Sequence, residues 1–134
     1  MASRRANSHG ASFERKVCKL LDKYGYRYEC HKLIGKSIYG SRLYCDVFVT
    51  DSHEGNFVLE CKWQSSKGSV DEKFPFTIAN IFASGIHTVL VIDGGGASRS
   101  AVKWSKSQVS RNLMGVMSFR ELEAFVKDGG LDVE

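Results

Sequence analysis

Residues 86–92, Ile-His-Thr-Val-Leu-Val-Ile, form an almost continuously apolar, β-branched run that breaks at Asp93-Gly94-Gly95-Gly96. A strand with this pattern has to be covered on both faces, and the usual solution is a sheet with helices on either side. The flanking segments supply those helices. From Ser12 the apolar positions Phe13, Val17, Leu20, Leu21 and Tyr24 recur along one helical face, which ends at Gly25. Ser69 and Glu72 have capping-box spacing ahead of a helix that ends near Ser84-Gly85, and Pro75 means that this helix either kinks or begins there. A helix over 98–111, a short strand over 115–117 and a last helix with Ser118 and Glu121 as its capping box complete the chain.

Between the first two helices the pattern is that of strands. Residues 26–33 are rich in aromatics, 35–42 read as a loop of small and basic residues, and 43–50 and 56–63 are two strands joined by the polar turn Asp51-Ser52-His53-Glu54-Gly55. The expected order is α-β-β-β-α-β-α-β-α, an α/β fold with a mixed sheet flanked by helices. At 134 residues there is room for one domain, expected over 12–134, behind a flexible basic arm over 1–11.

No apolar run approaches the ~18–20 residues that cross a bilayer, and the basic N-terminus lacks the apolar stretch of a signal peptide. Cys18, Cys30, Cys45 and Cys61 are widely spaced among apolar residues, unlike the paired ligands of a zinc finger. They are expected as reduced core thiols in a cytoplasmic protein of a bacterial or phage-infected cell. The net charge of +4 is unevenly spread: residues 1–45 carry +7, 46–93 carry −4 and 94–134 carry +1. A basic first third beside an acidic middle suits a polyanion-binding surface next to a carboxylate cluster, and also suits a plainly solvated surface.

The segment that carries chemistry is Tyr44-Cys45-Asp46-Val47-Phe48-Val49 followed by Phe57-Val58-Leu59-Glu60-Cys61-Lys62-Trp63-Gln64. Strand alternation puts Glu60, Lys62 and Gln64 on one face and Leu59, Cys61 and Trp63 on the other. If the strands pair as a hairpin, Asp46 lies across from Glu60 and Lys62. Two carboxylates so close repel each other, and a hard divalent cation such as Mg²⁺ relieves them. Such an ion activates water for phosphodiester hydrolysis, while the lysine offsets charge growing on phosphate. Glu14, at the border of the first helix's apolar face, is a candidate third acid or a surface glutamate paired with a neighbouring cation.

With Asp46, the two strands and Glu60-Cys61-Lys62 in view, the chain resembles the PD-(D/E)xK nuclease superfamily, whose core has the order α-β-β-β-α-β. The opening Gly10-Ala11-Ser12-Phe13-Glu14-Arg15-Lys16-Val17 is similar to the first helix of small Holliday-junction resolvases and compact restriction-like endonucleases. The resemblance implies a restriction-endonuclease-like fold, with metal held by Asp46, Glu60 and the Cys61 backbone carbonyl. It also implies Lys62 as the catalytic lysine, Glu14 as the first-helix acid and Gln64 as an auxiliary residue. Cys45 replaces the family's proline before the aspartate.

The implied activity is a Mg²⁺-dependent DNA endonuclease, with Mn²⁺ as a substitute, acting as a homodimer by analogy with the resolvases. The alternatives are a site-specific restriction or homing endonuclease, and an inactive DNA-binding module of the same fold. Lys36, Arg42, Lys67, Ser65 and Ser66 are candidate contacts to the DNA backbone. Asp93-Gly94-Gly95-Gly96 fits neither phosphate-binding glycine motif and reads as a strand-to-helix turn. Trp63 and Trp104 are expected to pack in the core.

Overall fold

The computed structural model of the chain describes residues 2–50, 57–64 and 70–132, with the side chains of all but residues 2–8 and 70. Helix α1 (Ala2–Lys23) is followed by five strands: β1 (Tyr28–Cys30), β2 (Leu33–Lys36), β3 (Arg42–Tyr44), β4 (Val47–Val49) and β5 (Phe57–Trp63). Then come α2 (Val70–Ser84), β6 (His87–Asp93), α3 (Arg99–Ser107), β7 (Leu113–Met117), α4 (Phe119–Lys127) and a short 3₁₀ turn, Gly130–Asp132. The main sheet has the order β1-β4-β5-β6-β7, antiparallel from β1 to β5 and parallel from β5 to β7.

The buried strand expected over 86–92 is β6, hydrogen-bonded on both edges and covered on both faces as its composition requires. On one face Val47, Val49, Phe57, Leu59, Val89 and Val91 meet Phe13, Val17 and Leu21 of α1 and Leu122 and Val126 of α4. On the other, Leu90, Ile92 and Val116 pack on Phe74, Ile78 and Ile81 of α2, with Ala101 and Val102 of α3 against them. Each such side chain taken from water contributes roughly 1.5–3 kcal/mol, and the two clusters clamp β6 between them.

The structure differs from the expected elements where strands are short. The strand expected over 26–33 is two, β1 and β2, broken at His31, whose φ of 54° lies in the left-handed region. The strand expected over 43–50 is also two, β3 and β4, separated by Cys45 and Asp46. Of the loop expected over 35–42, residues 37–41 are the turn of a β2–β3 hairpin that forms a second sheet and takes in its two ends, with Leu33 opposite Tyr44 and Lys36 opposite Arg42. Three-residue strands are too short to show a period in sequence. The two ribbons leave the main sheet together, tied by His31 N–H to the Asp46 carbonyl at 3.0 Å and Cys45 N–H to the Lys32 carbonyl at 2.9 Å.

The helices show a second set of differences. Helix α1 begins at Ala2, so residues 2–11, expected as an arm, extend it; alanine and arginine there are strong helix formers that continue a turn already nucleated. Pro75 is inside α2 and does not start it. The capping box of α4 is present, with Ser118 and Glu121 each bonding the other's backbone N–H. The expected turn at 51–55 and the cap at Ser69 lie outside the described residues. No helix among the described residues is long and apolar enough to cross a membrane.

The four cysteines are free, but Cys30 is exposed and only Cys45 is fully buried; Cys30 is on β1 at the sheet edge, with its Sγ 3.7 Å from that of Cys18. Both tryptophans are half-exposed, Trp63 at the end of β5 against the Phe13 ring at 5.5 Å and Trp104 on α3.

The glycine turn after β6 is a structural clamp. Asp93 accepts from Gly94 N–H at 2.8 Å and from Phe119 N–H at 3.0 Å, joining the end of β6 to the start of α4. Gly94 has φ 102°, and a Cβ on it would come within 2.5 Å of the Gln64 carbonyl oxygen. Gly95 also has positive φ but faces open space. Gly94→Ala should therefore lower stability in urea denaturation by about 2–3 kcal/mol, and Gly95→Ala by about 1 kcal/mol. Equal costs at the two positions would show that the close approach is relieved by a small shift.

Candidate functional site

β5 carries the decisive side chains because its two faces have different fates. Leu59 and Cys61 point into the α1/α4 core and Trp63 meets Phe13 of α1, while Glu60 and Lys62 open into a cleft on the α2 side. Antiparallel pairing of Val47 with Leu59 brings Asp46, one residue before β4, opposite Glu60. The two are clasped reciprocally. Asp46 N–H donates to Glu60 Oε1 at 2.8 Å, and Cys61 N–H donates to Asp46 Oδ2 at 2.8 Å. The backbone of each strand end thus holds an acid of the other.

Glu14 completes the cluster from α1. Its Oε2 is 2.9 Å from His31 Nε2, and one ligand atom each from Glu14, His31 and Asp46 all lie within 4.8 Å of one another. Among the described residues the ion pair of Glu14 is with His31 and not with Arg15, Lys16 or Lys19: Arg15 donates to Ser12 Oγ at 3.1 Å, and Lys16 is over the Phe119 ring. His31 went unnoticed in the sequence, where nothing distinguishes it from the other histidines. It reaches the site through the break between β1 and β2.

The cleft has a volume of about 290 Å³ and runs from Asp46, Glu60 and Lys62 to the β2–β3 hairpin and α2, with Ile34, Tyr44, Phe76 and Asn80 in its walls. Lys73 of α2, another residue missed in the sequence, adds a second cation to the lining. Buried Asn80 docks the hairpin by accepting from Ile38 N–H at 2.9 Å, and Tyr39 packs on Phe76 with ring centroids 5.1 Å apart.

The remaining candidates are less central. Gln64, at the end of β5, is outside the cleft lining; its backbone is bonded to Asp93 and Gly96. Lys36 and Arg42 are exposed side by side on the hairpin. Ser65, Ser66 and Lys67 lie outside the described residues.

The electrostatics follow from burial. Glu60 is pushed up from 4.5 to about 7, first by desolvation and then by repulsion from Asp46, against the opposing pull of the Asp46 N–H and Lys62. Glu14 is raised for the same two leading reasons, with His31 working the other way. Glu14 and Glu60, both raised by burial and by the neighbouring Asp46, form with Asp46 a donor set that a hard divalent cation with oxygen ligands relieves. The residues fit such an ion. Asp46 has the ligand atoms of Glu14 and His31 within 4.8 Å, and Glu60 is opposite it across the strand pair.

The folded pKa of Glu60 lies above its unfolded value, so the native state binds more protons between pH 4.5 and about 7, and stability falls as pH rises through that window. In EDTA, Glu60→Gln, which keeps an oxygen for the Asp46 N–H, should match the wild type near pH 4.5. Above pH 7 it should be more stable by up to about 3 kcal/mol. A stability difference that stays flat across that range in chemical denaturation would contradict the burial described.

The family model described as a PD-(D/E)XK nuclease superfamily domain matches residues 5–128. No curated protein and no solved structure matches the chain. The match spans Glu14, Asp46 and Glu60 and the helices and strands that place them, and the five-stranded mixed sheet flanked by helices is consistent with a restriction-endonuclease-like fold. The chain belongs to the PD-(D/E)XK nuclease superfamily.

Proposed function

We propose that the protein is a divalent-metal-dependent DNA endonuclease whose active centre is the junction of β4 and β5. The observation that carries this reading is the reciprocal clasp of Asp46 and Glu60 at 2.8 Å, with Lys62 on the same wall of an open cleft. Asp46, Glu60 and the Cys61 backbone carbonyl are the proposed metal ligands, with Mg²⁺ the expected ion and Mn²⁺ a substitute. When bound, the ion polarises the scissile phosphate and lowers the pKa of a water nucleophile.

The chain's own residues do the rest. The clasp holds the two carboxylates in fixed relative positions, so little reorganisation is needed when substrate arrives. Lys62 places an ammonium where negative charge grows on the phosphate oxygens and orients the attacking water. Lys73, Lys36 and Arg42 offset the repulsion between the acidic centre and the DNA backbone, with Lys67, Ser65 and Ser66 as further backbone contacts and Gln64 as an auxiliary residue.

One such centre cuts one strand, so the proposed working form is a pair of chains. The finer reading is a resolvase-type enzyme acting on branched DNA, supported by the first-helix acid Glu14 reaching the centre. A site-specific endonuclease is its alternative.

Labelled linear duplex, four-way junction and single strand, incubated with Mg²⁺, test these statements together. Cleavage should disappear in EDTA, and Lys62→Ala or Asp46→Asn should slow it by about a hundredfold to a thousandfold with the fold intact by circular dichroism. A fully active Lys62→Ala would remove the mechanism. DNA binding without any cleavage would favour the inactive module, and preference for the junction would select the resolvase reading. A sedimentation mass of one chain on DNA would exclude the pair.

A further inference from the structure

His31 is the one described histidine drawn into the acidic centre. His87 packs edge-on against Phe57 at 6.2 Å, and His9 is exposed on α1. His31 has a backbone conformation that non-glycine residues adopt at a cost, φ 54°, and its N–H is bonded to the Asp46 carbonyl at 3.0 Å. A surface ion pair with Glu14 would need neither feature. Together they aim the imidazole at the space between α1 and the β4 end, while 64% of the side chain stays exposed and leaves the ring reachable from solvent.

The donors are close enough to converge on one ion with a small adjustment of their side chains. Ligands bound at about 2.1 Å on neighbouring corners of an octahedron are ~3 Å apart, and on opposite corners ~4.2 Å. Glu14 Oε2 and His31 Nε2 are 2.9 Å apart, and the set with Asp46 spans no more than 4.8 Å. Glu60, by contrast, is engaged with the Asp46 backbone on the cleft side. Asp46 is therefore flanked by two donor groups, Glu60 on one side and Glu14 with His31 on the other.

We infer that Glu14, His31 and Asp46 form a cation position of their own, in which the imidazole nitrogen selects a first-row transition divalent ion such as Mn²⁺ over Mg²⁺. Oxygen-only sites suit Mg²⁺, whereas an imidazole adds a borderline donor that transition ions bind far better. The inference rests on the reading of this junction as metal-holding and deepens it by naming the ion class and the residue that chooses it.

The test uses Mn²⁺ itself on the full chain. Pulsed electron paramagnetic resonance of the wild-type protein with Mn²⁺ should show ¹⁴N coupling from a directly bound imidazole, and His31→Ala and His31→Gln should both lose it. In calorimetry the two variants should bind Mn²⁺ about 10–100-fold more weakly, with Mg²⁺ affinity changed less than about threefold. His31→Gln retains a hydrogen-bonding group for Glu14, so wild-type Mn²⁺ affinity in that variant would reduce His31 to a positioning role and overturn the inference. Mn²⁺ bound without nitrogen coupling, and lost in Asp46→Asn, would overturn it too while leaving the metal-holding reading in place. Mg²⁺ binding without Mn²⁺ binding by the wild type would overturn the inference alone, and binding of neither ion would bring down both.

Discussion

The structure turns on two backbone-to-carboxylate hydrogen bonds that cross between the end of one strand and the middle of another. Asp46 and Glu60 would fly apart in water, yet the Asp46 N–H holds Glu60 and the Cys61 N–H holds Asp46. These bonds are worth more than neutral ones because the acceptors carry charge. The apolar pairing of Val47, Phe48 and Val49 with Leu59, Val58 and Phe57 beneath them prevents the strands from relaxing the repulsion by moving apart. The energy of a buried core is thus used to keep like charges adjacent, and Glu60 responds by holding its proton up to about pH 7.

That junction also coincides with the place where the chain leaves its main sheet. β1 and β4 end their pairing at His31 and Asp46, and beyond them β2 and β3 form a separate hairpin that leans on α2 through Asn80 and Phe76. The divergence opens the cleft, so the acids are buried enough to be perturbed and open enough to be reached. A continuous ribbon from β1 through β2 would close this space. The left-handed backbone at His31 is the local cost of keeping it open.

Much of this centre was legible in the sequence because it lies on a strand. Alternation along β5 separates Glu60 and Lys62 from Leu59 and Cys61 whatever else the chain does, and a seven-residue strand is long enough to show it. Glu14 was legible as a border residue of an amphipathic helix, though its partner was not. His31 and Lys73 escaped notice because neither belongs to a spacing that implies chemistry. One arrives through a strand break and the other from a helix packed across the cleft. The hairpin was hidden for a related reason: its glycines and serines read as loop, and its pairing depends on contacts with α2 that lie far along the chain.

By itself the sequence determined the layered α/β architecture, the two-sided burial of β6 and the face on which β5 presents its charges. Each follows from local periodicity and the cost of leaving apolar surface in water. Only the tertiary structure decided that α1 brings Glu14 within reach of Asp46, that the ribbons part at His31, and how large a cleft results. Those outcomes depend on how separate elements are packed against one another, and the electrostatic balance of the acids depends in turn on the burial that this packing creates.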